Sequence, residues 1–247
     1  MTKSATSVPL ENDPLPDLCR ACKARHRGIC GALDAQQLAE LNRRSHKQVV
    51  EPGKTLMDAE EPTSAYSNIL AGVVKLSKML PDGRQQIVGL QFAPDFVGRP
   101  FSQESALKAE AVTSTVLCTF PRNVLERMIA DSAGLEHNLY LQALAELDDA
   151  RDLLLTLGRK TARERVATFL LMIARHTPKA EGTGEPQGST DFELPLTRAE
   201  IADFLGLTIE TVSRQLTKLK GSGVIRVEAN RRICVPDLEL LEAETGD

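Results

Sequence analysis

The chain has 247 residues, 42% of them apolar and 26% charged, with a formal net charge of −4. This suits an ordinary soluble protein with room for two small domains, and the acidic balance excludes a chain coated in basic residues, so any nucleic-acid contact must come from a local patch. No apolar run approaches the roughly 20 residues that span a bilayer, and Met1 to Pro16 lack the layout of a signal peptide, so a cytoplasmic protein with no membrane partner is expected.

Residues 1–18 read as a flexible tail, because three prolines and few apolar side chains cannot bury enough surface to order the segment. Behind it stands Cys19-Arg-Ala-Cys22-Lys-Ala-Arg-His26-Arg-Gly-Ile-Cys30. An odd set of five cysteines, three of them crowded here, fits a reducing compartment where thiols serve metals or redox chemistry. An iron-sulfur cluster takes cysteine thiolates at short spacings, and its fourth ligand would come from Cys118 or Cys234. Cys118 ends a predicted strand, whereas Cys234 lies in a predicted DNA-binding hairpin, so Cys118 is the better candidate. Arg20, Lys23, Arg25 and Arg27 would offset the negative charge of such a centre. Zinc on Cys19, Cys22, His26 and Cys30 is a second reading, at unusually tight spacing, and unligated redox-active thiols are a third.

From about Val49 to Phe120 short alternating runs appear, at Asn68–Leu70, Val73–Leu76, Gln86–Leu90 and Thr113–Leu117. They are punctuated by Pro52-Gly53, Ala71-Gly72, Asp82-Gly83 and Ala93-Pro94-Asp95, which suggests a small β-barrel or sandwich. This stretch contains no histidine, so a cupin-like metalloenzyme lacks its ligand triad and no enzyme is expected.

Pro121 to His176 changes to helical period, with a break or kink expected near Gly158. Leu139 to Leu157 holds more leucine than one buried face requires. The surplus either packs on the β-domain of the same chain or forms a seam between two copies, with Leu144, Leu147, Ala150 and Leu154 in the seam. Residues 177–191 are turn and linker chemistry, and a domain boundary is expected at or near them.

From Thr197 the sequence has the parts of a helix-turn-helix. Thr197 and Glu200 form a capping box, Ile201, Ala202 and Leu205 face inward, Gly206 permits the turn, and Thr208 caps a second helix whose Val212, Leu216 and Leu219 face inward. The outward residues include Glu210, Thr211, Ser213, Arg214, Thr217 and Lys218, most of them near the end that enters a major groove. Val224–Glu228 and Arg231–Val235 flank a turn at Ala229-Asn230, as in a winged helix. Arg214 can fork onto guanine, Glu210 can accept from a cytosine amino group, and Ser213 can reach a base edge or phosphate. Thr197, Thr208, Thr211, Lys218, Lys220, Arg231 and Arg232 are candidates for the DNA backbone. Helical hairpins that bind no DNA can carry the same pattern, but the added hairpin and the local basic charge weigh against that reading.

Taken together, these residues resemble the Crp/Fnr superfamily of bacterial regulators, specifically its Fnr-type oxygen-responsive branch. The resemblance rests on Pro52-Gly-Lys-Thr-Leu56, Tyr66–Leu76, Asp82–Gly89 and Glu210-Thr-Val-Ser213-Arg214. It implies an α+β chain: a cluster-binding segment and a double-stranded β-helix sensor domain of the cyclic-nucleotide-binding kind over 19–132, a long dimerisation helix over 133–160, and a winged helix-turn-helix over 161–247. It also implies a [4Fe-4S] cluster on Cys19, Cys22, Cys30 and Cys118, a homodimer when oxygen is absent, and a palindromic DNA target of TTGAT…ATCAA type read by Glu210, Ser213 and Arg214. Contacts to RNA polymerase from loops such as Pro81-Asp82-Gly83 follow as well. The gap between Cys22 and Cys30 is longer than in enteric Fnr proteins and more similar to the alphaproteobacterial FnrL subgroup. Gly98-Arg-Pro-Phe-Ser-Gln-Glu-Ser-Ala and Glu110-Ala-Val-Thr lack the Arg-Ser cassette that holds a cyclic nucleotide, so no such effector is expected. The alternative within the resemblance is a regulator of this kind with a zinc or thiol-based sensor.

Overall fold

The alternation between Val49 and Phe120 builds two antiparallel four-stranded sheets in the computed structural model, which describes residues 17–20, 22–59, 61–102, 104–177, 189–229 and 231–247. The tail expected at the N-terminus lies outside the described residues up to residue 16, as do residues 178–188 of the expected linker and Asn230 of the expected turn. The strands are β1 (His46–Val50), β2 (Thr55–Met57), β3 (Ala65–Ala71), β4 (Val73–Met79), β5 (Gln85–Phe92), β6 (Phe96–Val97), β7 (Lys108–Ala111) and β8 (Thr115–Pro121). One sheet has the order β1-β8-β3-β6 and the other β2-β7-β4-β5. Ile69, Val97 and Leu117 from the first meet Met57, Val74 and Ala109 from the second in a buried core, the period-2 burial that a strand imposes. Gly72 turns β3 into β4 at φ +96, where a Cβ would stand 2.6 Å from Thr115 Oγ1, so a residue without one is required.

The sequence reading located β3, β4, β5 and β8 but not β1, β2, β6 or β7. Those four are short, and β7 (Lys-Ala-Glu-Ala) buries only two alanines, which leaves no hydrophobic signal.

Helices cover the outer face of the first sheet. After α1 (Asp17–Arg20) and α2 (Lys23–Arg27) comes a 3₁₀ turn at Ile29–Ala32, then α3 (Ala35–Arg44), whose Asp34 and Gln37 cap each other reciprocally. Past the strands follow α4 (Arg122–Asp131) and α5 (Ala133–Arg159). Ile29, Leu33, Leu38 and Leu41 pack with Val124, Leu125, Ile129 and Leu135 over Tyr66, Phe96 and Phe120. α5 runs through Gly158 and ends one residue later; the break expected near Gly158 is therefore a helix end, made by an extended Lys160 and by the Thr161/Glu164 capping box of α6 (Ala162–His176).

α6 shares its core with everything C-terminal to it: β9 (Thr190–Glu193), α7 (Arg198–Leu205), α8 (Ile209–Gly221), β10 (Arg226–Glu228), β11 (Arg232–Val235) and α9 (Leu238–Ala243). The first two residues of β9 fall in the stretch whose composition predicts a linker. β9 pairs with β11 to make a three-stranded sheet of order β10-β11-β9, so residues 177–191 interrupt one packed unit and do not separate two.

This unit is docked on the second sheet. Ile87 and Phe92 of β5 join its core, Gln86 Nε2 donates to the Phe204 carbonyl at 3.2 Å, and Phe92 stacks on His176 with ring centroids 4.0 Å apart. Buried Lys75 of β4 places its ammonium 2.8 Å from Glu110 and 2.7 Å from Glu200. Burial alone would raise both carboxyls, but the hydrogen bonds and charge of Lys75 outweigh it and hold both below the usual range. Replacing Lys75 with Met should cost about 3 kcal/mol, because two carboxylates lose a buried partner; a urea unfolding curve measures it. The wild-type advantage should be full above the ordinary glutamate range and vanish as pH falls through the lowered values of the folded state.

Candidate nucleic-acid interface and thiol site

α7 and α8 are set by local chemistry. The hydroxyl of Thr197 caps α7, accepting from the Glu200 amide, while Glu200 accepts in return from the Thr197 N–H and hydroxyl. Gly206 closes α7 at φ +60. Thr208 caps α8 by accepting from the Thr211 amide at 3.2 Å. Val212, Leu216 and Leu219 are buried, as is Gln215, while Glu210, Ser213, Arg214, Lys218 and Lys220 are exposed along one side of the helix. Arg214 Nη2 lies 3.3 Å from Thr211 Oγ1, which steadies the guanidinium over the first turns. Hydrogen bonds from its own backbone N–H and from Thr208 hold the Glu210 carboxyl below the usual range, so it faces solvent as an ionised acceptor.

The two wing arginines stand differently. Arg231 Nη2 donates to the carbonyls of Leu194 and Pro195, at 3.0 and 3.2 Å, and Arg232 Nη2 donates to Asp191 at 3.0 Å. In the structure both therefore brace β9 against β11. Lys218 and Lys220 have no such contact among the described residues and present their charge at the C-terminal end of α8. Arg165 is a residue the sequence reading did not single out. Its guanidinium donates to the carbonyls of Leu157, Lys160 and Leu205, clamping the end of α5 to the end of α7, where helix dipoles favour a cation.

At the other end of the molecule Cys19, Cys22, Cys30 and Cys118 line one cavity of about 30 Å³, with Arg25, Asn42, Ser45 and Asn68 among its walls. Three thiols come from the α1–α2 segment and the 3₁₀ turn, and Cys118 from β8, where it faces Lys47 on one side and Asn68 on the other. Burial raises the thiols of Cys19, Cys30 and Cys118, Cys30 to about 12, and the neighbouring thiols add to the rise; a hydrogen bond from Asn68 opposes it at Cys30, and one from Ser45 at Cys118. Burial and mutual repulsion of thiolates are relieved together when cations take the protons' place, so this donor set can hold a thiophilic metal centre. His26, the fourth ligand of the zinc reading, is exposed and is not among the residues lining the cavity. Among the described residues no three His, Cys, Asp or Glu side chains converge closely enough to hold a single ion. The side chain of Lys23 lies outside the described residues. Cys234 is remote, on β11, and burial together with Asp191 pushes its thiol up to about 11.

Along α5 only Leu135 and Thr156 are buried. Tyr140, Leu144, Leu147 and Leu154 remain 61%, 38%, 44% and 70% exposed, and Ala150 is exposed beside them. Leu139 and Leu153 pack against cores that include strand residues, whereas Leu144, Leu147 and Leu154 stay uncovered by their own chain. Arg151, between Leu147 and Leu154 in the same register, pairs with Asp148 at 2.9 Å.

The model of the cyclic nucleotide-binding domain matches residues 47–132, and that of the Crp-like helix-turn-helix domain matches residues 164–244. The chain is 57% identical over 227 residues to a "Probable transcriptional activator" of Rhizobium leguminosarum bv. viciae, covering 92% of each. It is 40% identical over 229 residues to "Transcriptional activator protein FnrL" of Cereibacter sphaeroides, covering 93% of this chain and 92% of that one. Among solved structures it is similar to FixK2 from Bradyrhizobium japonicum, with TM-score 0.72 and 32% identity over 81% of this chain and 96% of that one. The first two are described as transcriptional activators.

The turn between α7 and α8 yields a direct test. A Cβ on Gly206 would make only ordinary contacts, 3.7 Å from Leu157 Cδ2, so the penalty for Gly206→Ala is conformational. It should be about 1 to 2 kcal/mol, seen as a lower thermal midpoint, with Gly206→Asn losing less because asparagine tolerates left-handed backbone.

Proposed function

The chain belongs to the Crp/Fnr family of transcription regulators, and from that premise we propose an oxygen-responsive activator of the cytoplasm that carries a [4Fe-4S] cluster on Cys19, Cys22, Cys30 and Cys118 when oxygen is absent. The observation that carries this reading is the single cavity lined by four thiols from two distant parts of the chain. A four-iron centre spreads its thiolates over separate irons, which suits thiols that surround a space without meeting at one point. Bound there, such a cluster supplies redox chemistry sensitive to oxygen. Arg25, in the cavity wall, offsets part of the thiolate charge, as its effect on Cys19 indicates.

The chain's own residues connect that site to DNA. Thiolates from Cys19, Cys22 and Cys30 held together with Cys118 would pin the N-terminal segment to β8. The same segment contributes Ile29 and Leu33 to the core that contains Leu135, at the start of α5. The exposed stripe of Tyr140, Leu144, Leu147 and Leu154 repeats at coiled-coil spacing, and we assign a second copy of this chain to it. A homodimer would set two α8 helices on a palindrome of TTGAT…ATCAA type, with Glu210, Ser213 and Arg214 at base edges and Thr208, Thr211, Lys218 and Lys220 at the backbone. Thr197, Arg231 and Arg232 hold the reading head in shape, and any phosphate contact from them would share groups already hydrogen-bonded. The Pro81-Asp82-Gly83 turn, next to exposed Met79 and Leu80, is the surface we assign to RNA polymerase. The likeness to FnrL and FixK2 supports this branch of the family and activation as the sign of control.

Protein purified without oxygen should absorb broadly near 400 nm, carry about four irons per chain with matching sulfide, sediment as a dimer, and lose all three properties in air. Cys118→Ser should abolish the iron and Cys234→Ser should not. Colourless protein with stoichiometric zinc would overturn the cluster. In DNA titrations Arg214→Ala should cost about 1 to 3 kcal/mol per half-site and relax preference at one base pair, whereas Lys218→Ala should weaken all sequences alike and reduce the salt slope by about one.

A further inference from the structure

One polar side chain in the thiol cavity is neither a metal ligand nor exposed. Asn68, on β3, is 1% exposed. Its Nδ2 lies 3.2 Å from Cys30 Sγ, and its Oδ1 is buried with no hydrogen-bond partner among the described residues. Because β3 and β8 are antiparallel and Asn68 is directly opposite Cys118, both side chains leave the same face of the sheet. Asn68 thus bridges the strand that supplies Cys118 and the segment that supplies Cys30.

The chemistry of the amide is directional. A thiolate offers lone pairs and no hydrogen, so only the N–H end of the amide can face it, which is the orientation observed. An asparagine that merely filled space here would be better replaced by leucine, since its oxygen is desolvated without compensation. Its one hydrogen bond in the cavity goes to the sulfur.

We propose that Asn68 is a positioning residue for the cluster: its amide N–H holds the Cys30 sulfur, fixes the direction in which that thiolate points, and draws off part of its charge. Hydrogen bonds to ligating sulfurs set the properties of such centres, and second-shell partners of metal ligands contribute strongly to metal retention. The inference rests on the cluster reading above and adds to it a residue that never touches iron.

The test uses the full-length protein loaded without oxygen, as wild type, Asn68→Leu and Asn68→Asp, the last two keeping the volume and removing the N–H. Iron loss to a chelator under argon should be about 10- to 100-fold faster in both variants. The Fe–S(Cys) stretching bands in resonance Raman spectra should shift. Melting of the metal-free Asn68→Leu protein should occur no lower than that of wild type, because an unpaired buried oxygen has been removed; a purely structural role would lower it and leave the bands in place. If Asn68→Leu fails to fold, the isosteric Asn68→Asp carries the comparison. A loaded wild type with variants that match it in loss rate and bands overturns the role of Asn68 and leaves the cluster standing. A wild type without iron and sulfide overturns both.

Discussion

A helix of 27 residues, about 40 Å long, is held by its own chain along one side, at its two ends and through Glu146, which accepts from Gln91 of β5, and most of the molecule is arranged by that constraint. At the start, Leu135 is buried among side chains of the cysteine-bearing segment and the first sheet. At the end, Arg165 grips the carbonyls of Leu157 and Lys160 and ties them to Leu205, the last residue of α7. Between these anchors the helix presents leucines to solvent. Apolar surface at heptad spacing is costly unless covered, and the chain itself leaves Leu144, Leu147 and Leu154 uncovered.

The anchors also explain how a chemical event at the thiols could reach the reading helix through packing. The 3₁₀ turn that carries Cys30 lies against the start of α5: a Cβ on Gly134 would stand 3.5 Å from Ala32 Cβ. Displacing the cysteine segment therefore disturbs the base of the long helix. The helix-turn-helix is in turn fixed to the rest of the chain by contacts that include Arg165 at the end of α7 and Lys75 beneath its capping Glu200. Both bear on α7, whereas α8 is left with its outward side unobstructed.

Charge follows the same division. Arg214, Lys218 and Lys220 face outward on α8, whereas Lys75 is paired in the interior and Arg231 and Arg232, though exposed, are hydrogen-bonded to neighbouring chain. The basic patch read from the sequence is consequently narrower than the number of arginines suggested. Exposed Glu210, Ser213 and Arg214 at the N-terminal part of α8 and Lys218 and Lys220 at its C-terminal part remain separate along the helix.

The sequence by itself determined the elements whose signals are local. Capping at Thr197 and Thr208, the left-handed glycine at 206 and the period of Val212, Leu216 and Leu219 define the helix-turn-helix before any tertiary contact is known, because each depends on neighbours within four residues. The three clustered thiols were equally legible. Short strands such as β7 and β9 were not, since their burial comes from the partner strand and not from their own hydrophobicity. Only the tertiary structure brought Cys118 to the other thiols and placed Asn68 between them, bonded Arg231 and Arg232 to the chain around β9, joined Lys75 to Glu200, and left Leu144, Leu147 and Leu154 of α5 uncovered. Each of these is a relation between residues far apart in the chain, fixed by how sheets and helices pack, and no periodicity within a single segment encodes it.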